Sequence, residues 1–504
     1  MKHTLATSLA GAALVFAACS SESGETNGPV TTSQHVLLIT CDTLRADRLG
    51  MYGYQGNTSP NLDALATEGV VFEEAYSTAP MTLPAISSML TGRLPADVGV
   101  DYDNHRHMSA GVHTLPELLR DRADVATGAI VSNWVLRRPP GVDPQMSTWQ
   151  GFDTYDDRMG DSVVNRDGHW ERTAPSTTEA AIEWLTAHQN DPRTFLWVHY
   201  QDPHGPYTPP QEFAAAFAPT SFAGTTLPLG GNRWGLGQVP NYQQAHGDEA
   251  RPEAYRANYD AEIAYFDREL GRLIAWMRQS GRLDQSMVIF TADHGESLGD
   301  HNFWFSHGEH VYRDVVRVPL FVRMPGGKVA PHTHKDPYYR RSSLPVGLID
   351  IFPTVAEAFG VEPGSTRGTS LISIRDQSVP YIYGQFLHAE SDRSTWQAFS
   401  DGQYRVVQET LPGNQPGMVQ LYDVRADPFE QNNLVTTPEA QEIMNSLSQR
   451  IGAYLNRTQQ TPLPGINLTQ LVTPEDRAQH VEAMNKLGYT GGDEDDATPP
   501  ADGQ

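Results

Sequence analysis

The sequence predicts an α/β fold: a large, mostly parallel sheet sandwiched by helices, followed by a small antiparallel sheet with one helix. Three observations predict it. Continuous apolar runs with β-branched residues recur between residues 35 and 324, the pattern of strands buried on both faces. Segments of helical pattern lie between them, as in successive βα units. From about residue 380 the pattern changes to short runs separated by Gly-containing turns, which reads as an antiparallel meander.

The expected strands are His35–Thr40 (HVLLIT), Ala126–Ser132 (ATGAIVS), Thr194–Tyr200 (TFLWVHY), Met287–Ala292 (MVIFTA) and Val318–Met324 (VPLFVRM). The expected helices are Pro60–Glu68, with Ser59 placed to cap it, Thr114–Arg120, Thr177–His188 and Ala257–Arg278. Residues 213–253 form a long Gly/Pro-rich stretch with aromatics including Trp234, too long for a mere connector and a candidate substrate-facing loop. Beyond it, YIYGQF, TWQAFSDG, YRVVQET and VQLYDVR read as four strands, with turns at Asp401-Gly402 and Pro412-Gly413. An amphipathic helix over Pro438–Leu455 follows.

The chain ends read differently. Residues 1–18 have a short polar start and an Ala-rich apolar run, too short for a membrane span and typical of an export signal. Small residues directly precede Cys19, which resembles the lipidation site of a bacterial lipoprotein. The expectation is an exported protein held in the cell envelope, periplasmic or cell-surface, by a lipid on Cys19. Residues 19–34 would be a polar tether. Residues 35–378 form the large α/β domain and 379–480 the small α+β unit. Residues 481–504 are an acidic, Pro/Gly-rich tail expected to be disordered. The 36 Lys and Arg against 61 Asp and Glu give a formal net charge of −25, which argues against a nucleic-acid partner. With two cysteines, Cys19 and Cys41, a disulfide framework is excluded.

Polar residues cluster where the apolar runs end, the place where open α/β sheets bind ligands. Asp42 follows the first run and suits a divalent cation, or a turn cap. Asp293-His294 follows the fourth, offering oxygen and nitrogen ligands on one loop, with Gly295 permitting a close turn. Thr82 sits just before Pro84 at an expected helix start. It reads as an N-cap, or as a hydroxyl nucleophile activated by a metal. His204, held between Pro203 and Gly205-Pro206, suits a proton donor or an anion contact. Arg45 could grip substrate oxygens or pair with Asp47. The pair Arg340-Arg341 is a further candidate for contacting substrate.

Taken together, these residues resemble the sulfatase family of the alkaline-phosphatase superfamily. The resemblance spans about residues 35–435 and rests on ordered motifs, among them HVLLITCDTLRADRLGMYGY, TLPAISSMLTG, HYQDPHGPY, IFTADHGESLGDH and LYDVRADPFEQNNL. It implies one divalent metal ion held by Asp42, Asp293 and His294 and touched by Thr82. It also implies His204 facing the substrate and His307 standing where many sulfatases place a substrate-contacting Lys. A His among the ligands favours Zn²⁺ or Mn²⁺, with Ca²⁺ the alternative. The implied substrate is a sulfated or phosphorylated small molecule, glycan or lipid.

The departures from the family pattern are specific. Thr82 and Ile86 replace the Cys or Ser and the Arg of the formylglycine motif, and Thr cannot give the aldehyde. Thr43 stands at the usual second Asp, and SNWVL replaces a Lys/His motif. Cys41 lacks the following Pro and reads as a strand-end residue rather than the modified one. Thr82 with His307 is also similar to phosphoethanolamine transferases, and the single early Asp to phosphonate monoester hydrolases. The readings carried forward are a sulfate- or phosphate-ester hydrolase with Thr82 as nucleophile, a phosphodiesterase or transferase, and a catalytically silent glycan-binding lipoprotein.

Overall fold

The computed structural model describes residues 33–456 except 101–105, 161–170, 223, 232, 234, 328–339, 373–384 and 391–393, together with 466–467. The expectations for Cys19, Trp234 and the acidic tail lie outside the described residues.

Eight strands form the main sheet. They are β1 (His35–Cys41), β2 (Val70–Phe72), β3 (Ala126–Val131), β4 (Thr154–Asp156), β5 (Thr194–Tyr200), β6 (Ser286–Ala292), β7 (Leu320–Arg323) and β8 (Arg340–Ser342). Their order across the sheet is β8-β2-β7-β6-β1-β5-β3-β4. Every pairing is parallel except those of β7, which runs antiparallel to both β6 and β2. The run at 318–324 was therefore legible as a strand but not in its direction, because a doubly buried strand has no alternation to orient it.

β1 is the centre of the site's geometry. His35 is paired with Thr194 on one side and Ser286 on the other, and Cys41 with Tyr200 and Ala292. All three strands are buried along their whole length. They end level, so the residues after Cys41, Tyr200 and Ala292 emerge side by side.

The helices that matter for the site are α1 (Pro60–Ala66), α2 (Thr82–Thr91), α3 (Leu115–Ala123), α4 (Ala174–Ala187) and α5 (Pro252–Gln279). Ser59 precedes α1 but does not cap it. Its hydroxyl instead accepts from Gly50 N and donates to Asp63. α3 begins with a reciprocal box in which Glu117 accepts from the Thr114 backbone. α2 is buried on every face and ends at Gly92, whose φ of 64° gives the left-handed C-terminal stop.

The 211–253 region is more ordered than a loop. It contains a helix at Gln211–Phe217, and residues 235–237 run beside 302–304: Trp304 N donates to Gly235 O and Gly237 N to Asn302 O. At the C-terminal end, β9 (Gln385–Glu390), β10 (Thr395–Ser400), β11 (Tyr404–Leu411) and β12 (Gln415–Asp423) form the expected antiparallel meander. Its strands alternate faces. Trp396, Ala398, Val407 and Tyr422 pack on Tyr76, Val311 and Tyr312 of the large domain. Phe399 and Leu421 pack on the final helix, Ala440–Asn456, through Leu447 and Tyr454.

Arg340-Arg341 lie on edge strand β8, three places across the sheet from β6. Arg341 is engaged by Glu73 and the Met51 carbonyl, which removes it as a substrate contact.

Candidate active site

The level ends of β1 and β6 bring Asp42 and Asp293 together with His294. One ligand atom from each of these residues lies within 4.8 Å of the others, and all three are buried. Side-chain nitrogens of Asn133 and His199 face Asp42. Asn133 Nδ2 is 2.5 Å from Oδ2, and His199 Nε2 is 3.5 Å from the same oxygen. Thr40 Oγ1 accepts from Trp197 Nε1 and lies 2.8 Å from His199 Nδ1. Its proton therefore goes to Nδ1, leaving the His199 Nε2–H facing Asp42. Asp293 Oδ1 accepts from the backbone of Thr43 and His294. Asp42 Oδ1 and Asp293 Oδ2 are left buried without a hydrogen-bond partner. Two such oxygens beside an imidazole are what a divalent cation would satisfy. Burial and the charge of Asp42 push the Asp293 carboxyl well up. Burial pushes Asp42 the same way, but His204, His199 and His294 outweigh it and hold Asp42 low. The residues thus fit a divalent metal.

Thr82 is not the helix cap. Met81 occupies that position without a side-chain bond, and Thr82 is the first residue of α2. Its Oγ1 lies 3.4 Å from Asp42 Oδ2 and 3.4 Å from His294 Nε2. The hydroxyl therefore sits against the ligand set at the N-terminus of a buried helix, where backbone N–H groups favour an anion.

The imidazoles line the other side. His294 Nδ1 donates to the Gly295 carbonyl (2.9 Å), so its Nε2 lone pair faces the carboxylates. His204 Nδ1 donates to the Gly205 carbonyl (2.7 Å) in the same way. His307 packs 4.5 Å from His294 and 5.1 Å from His204, ring centre to ring centre. Its Nδ1 is 3.1 Å from Glu296 Oε1, and Tyr207 donates to Glu296 Oε2 at 2.8 Å. Burial lowers the pKa of all three rings, His307 to about 4. The charge of Arg233, from the 211–253 region, adds to the effect on His307.

Arg45 is a correction. Its Nε and Nη2 grip Asp47 at 2.8 and 2.7 Å, and Nη1 reaches Asp300 at 2.6 Å and the Glu296 carbonyl at 3.0 Å. The fork is filled by protein groups, the pairing alternative of the two readings, so Arg45 braces the loop after His294 rather than standing open to substrate. The loop after β1 is braced too: Tyr259 donates to the Thr43 carbonyl and accepts from Arg45 N. Thr43 sits there at φ 55°, a strained conformation for a β-branched residue.

Asn133, His199, Glu296, Tyr207 and Arg233 were not picked out as functional from sequence. Asn133 had a signal, since it follows an apolar run as Asp42 and Asp293 do. The others act through partners distant in sequence.

Comparisons with known proteins give the family. The Sulfatase family pattern matches residues 34–361, and the pattern described as N-sulphoglucosamine sulphohydrolase, C-terminal, matches 299–457. The chain belongs to the sulfatase family. Sulfatases are sulfuric ester hydrolases of the alkaline-phosphatase superfamily, and this chain is an enzyme of that class. It is 23% identical to an arylsulfatase of Clostridium perfringens, over 82% of this chain and 92% of that one. It is 26% identical to a choline-sulfatase of Rhizobium meliloti, over 75% and 78%. Among solved structures, a protein in complex with its substrate D-glucosamine-2-N,6-O-disulfate superposes with a TM-score of 0.66 (18% identity; 84% and 98% covered). A phosphonate monoester hydrolase of Agrobacterium radiobacter gives 0.64 (20%; 86% and 99%).

Proposed function

We propose that this sulfatase-family hydrolase cleaves a monoanionic ester, a sulfate ester first of all, with Thr82 as the nucleophile. The observation that carries the reading is the Thr82 hydroxyl, 3.4 Å from both Asp42 and His294 at the start of a buried helix. Asp42, Asp293 and His294 would hold the divalent ion, and the mixed oxygen and nitrogen set favours Zn²⁺ or Mn²⁺. When bound, such an ion lowers the pKa of a neighbouring hydroxyl and offsets charge on the transferred group.

The chain's own residues supply the rest. Thr82 Oγ gives up its proton to solvent and attacks sulfur, the bond from sulfur to the leaving oxygen breaks, the leaving oxygen takes up a proton, and a threonine sulfate ester forms. The first backbone N–H groups of α2 face the developing charge. His204, its Nδ1 fixed by the Gly205 carbonyl, would first take up a proton at Nε2 and then pass it to the leaving oxygen. Without a second hydroxyl on the same carbon, the intermediate must be resolved by water at sulfur. This step separates the enzyme from formylglycine sulfatases.

A second reading, phosphodiester hydrolysis, draws on the same site, since a diester also carries one negative charge. Initial rates of the metal-loaded protein on 4-nitrophenyl sulfate and on a bis-aryl phosphodiester decide between them. Thr82→Ala should abolish turnover of the preferred substrate, and quenched wild-type enzyme should carry the transferred group on the Thr82 peptide. Wild-type turnover by Thr82→Ala would remove Thr82 as nucleophile. The start of the sequence supports export and anchoring through Cys19. Loss of metabolic lipid labelling in Cys19→Ser, with labelling of the wild type, tests it.

A further inference from the structure

The LYDVRADPFEQNNL segment, residues 421–434, takes no part in the reaction outlined above, yet it carries a buried carboxylate. Glu430 is 2% exposed and sits at φ 55°, a costly conformation for a residue with a Cβ. The segment's own turn holds it there. Asp423 Oδ1 accepts from the backbone of Arg425 and Ala426, Asp427 N donates to Asp423 O, and Glu430 N donates to Asp427 O. Both oxygens of Glu430 are engaged. Oε1 is paired with Arg405 of β11, and Oε2 accepts from Arg313 N at 2.8 Å. Arg313 opens a helical turn, Arg313–Val316, whose first N–H groups have no partner inside the turn. The C-terminal unit grips the same segment twice more. Arg313 Nη1 donates to Val424 O at 3.0 Å, and Arg405 Nη2 donates to Val311 O. This turn in turn holds the loop after His294. Val315 O accepts from Gly295 N at 2.8 Å, and Asp314 Oδ2 accepts from Ser297 Oγ at 2.6 Å. The Gly295 carbonyl then holds His294 Nδ1. The two backbones are so close that a Cβ on Gly295 would lie 2.2 Å from Asp314 O. A shift of the turn is therefore passed on to the ligand loop, with no slack between them to absorb it.

We propose that Glu430 is a positioning residue for the metal site: by holding Arg313 N it fixes the turn that sets the Gly295 carbonyl and, through it, His294. The inference rests on the reading of Asp42, Asp293 and His294 as metal ligands. A buried carboxylate–guanidinium pair adds little net stability over an apolar pair of similar volume, because both charges must leave water. Its directional bonds do what apolar packing does not. They fix one register between the 421–434 segment and the 311–316 segment. The C-terminal unit thus supports the ligand loop without touching substrate.

The test is Glu430→Gln. It keeps the volume and removes the charge, and its amide NH₂ meets a donor, Arg405 or Arg313 N, whichever way it is turned. Calorimetric titration of the full chain with Zn²⁺ and with Mn²⁺ should show affinity reduced by about tenfold, the loss typical of a removed outer support. Turnover of 4-nitrophenyl sulfate should fall at limiting metal and return at excess metal. Leu447→Ala is the control for lost stability alone. Leu447 is buried between the same sheet and the final helix, in a cluster separate from residues 311–316. It should lower the melting temperature at least as far and keep wild-type metal affinity. Wild-type metal affinity in Glu430→Gln, an equal loss in Leu447→Ala, or turnover that stays low at excess metal would overturn the proposal. Should Glu430→Gln not fold, Glu430→Asp, one methylene shorter and unable to span both partners, is read by the same titrations. If no sulfate ester is cleaved by the wild type, the hydrolase reading fails by itself and the titrations still decide. If the wild type binds none of Zn²⁺, Mn²⁺ and Ca²⁺, the metal reading fails by itself, and hydrogen exchange decides the positioning claim. The amides of residues 294–297 should then exchange faster in Glu430→Gln than in both the wild type and Leu447→Ala, and equal exchange overturns it.

Discussion

Gly295→Ala should cost the enzyme its metal affinity far more than its fold. A Cβ built on Gly295 would lie 2.2 Å from the Asp314 carbonyl oxygen, 3.1 Å from its carbon and 3.2 Å from Val315 Cα. Those atoms are backbone, so no side chain can rotate away. The two segments are also tied by Gly295 N donating to Val315 O at 2.8 Å. Restoring van der Waals contact requires a separation of about 1 Å. Overpacking of this kind costs about 1–3 kcal/mol, a shift of a few degrees in Tm. The displacement falls on the residue directly after His294, whose Nδ1 is held by the Gly295 carbonyl. Loss of such a support weakens a metal by roughly 10–100-fold, and a misplacement of about 1 Å costs on the order of 10² in rate. Zn²⁺ and Mn²⁺ titration calorimetry, a melting curve and kcat/KM measure the three effects on one sample. Gly452→Ala is the control. It lies in the last helix with nothing within 4 Å of the added Cβ, and should gain about 0.5–1 kcal/mol. Wild-type metal affinity and rate in Gly295→Ala would refute the claim that this contact sets the ligand loop.

Three further outcomes are expected. Arg45→Ala leaves the part-exposed Asp47 and Asp300 without their buried partner and should lower stability by about 1–3 kcal/mol, read as a fall in denaturation midpoint. A raised KM with an unchanged midpoint would restore Arg45 to the substrate. Chelation should lower Tm, because a ligand at about 100 times its Kd adds about 2.7 kcal/mol; an unchanged Tm after verified metal removal counts against the site. His35 gives a pH signature away from the site. Burial, then the Arg282 charge, lower its pKa from 6.5 to about 4. Arg282 donates to Thr194 Oγ1, whose proton is left for His35 Nδ1. The unfolded chain therefore takes up a proton that the folded chain refuses. This contribution is complete above pH 6.5 and lost as pH falls towards 4, about 1–2 kcal/mol after solvent screening is discounted. Urea melts from pH 7 to pH 4 should show the loss, and His35→Gln should flatten it.

The parts of the fold legible in sequence were those that local pattern determines. The apolar runs at 35–40, 194–200 and 287–292 could only be doubly buried strands, and their ends carried Asp42 and Asp293. Register then did what no motif states: it made those ends level. The direction of β7 was not legible, because a strand buried on both faces reads the same either way. Arg45 was undecided for a related reason. Asp47, two residues on, was visible as a partner, but Asp300, 255 residues away, was not. Ser59 and Thr82 show the same limit from the other side. Both looked like helix caps by spacing, and neither caps, because each hydroxyl is claimed from outside its helix. Asn133 shares only the strand-end position of Asp42 and Asp293, and His199 and Glu296 have no local signature at all, since each acts by touching a residue that has one.

The choice between a monoanionic and a dianionic substrate follows from a count of charge. Asp42 and Asp293 contribute two negative charges once a divalent cation holds them ionised, and the cation cancels them. His204, His294 and His307 are all pushed towards the neutral form by burial, so none adds a fixed positive charge near neutral pH. By the family resemblance, Ile86 and His307 stand where sulfatases commonly carry an Arg and a Lys. Arg45 is consumed by Asp47 and Asp300. Arg233 is an arginine whose charge acts on His307, and burial pushes Glu296 beside that ring up to about 8, so the described residues offer little positive charge of their own. A sulfate monoester or a phosphodiester brings one negative charge. A phosphate monoester brings up to two into a buried site of low effective dielectric, where the unmatched charge is costly. The substitutions that look like losses from the family pattern are thus a coherent change of charge. They would lower the site's capacity for dianions while keeping Thr82, Asp42, Asp293 and the imidazoles of His204, His294 and His307 together.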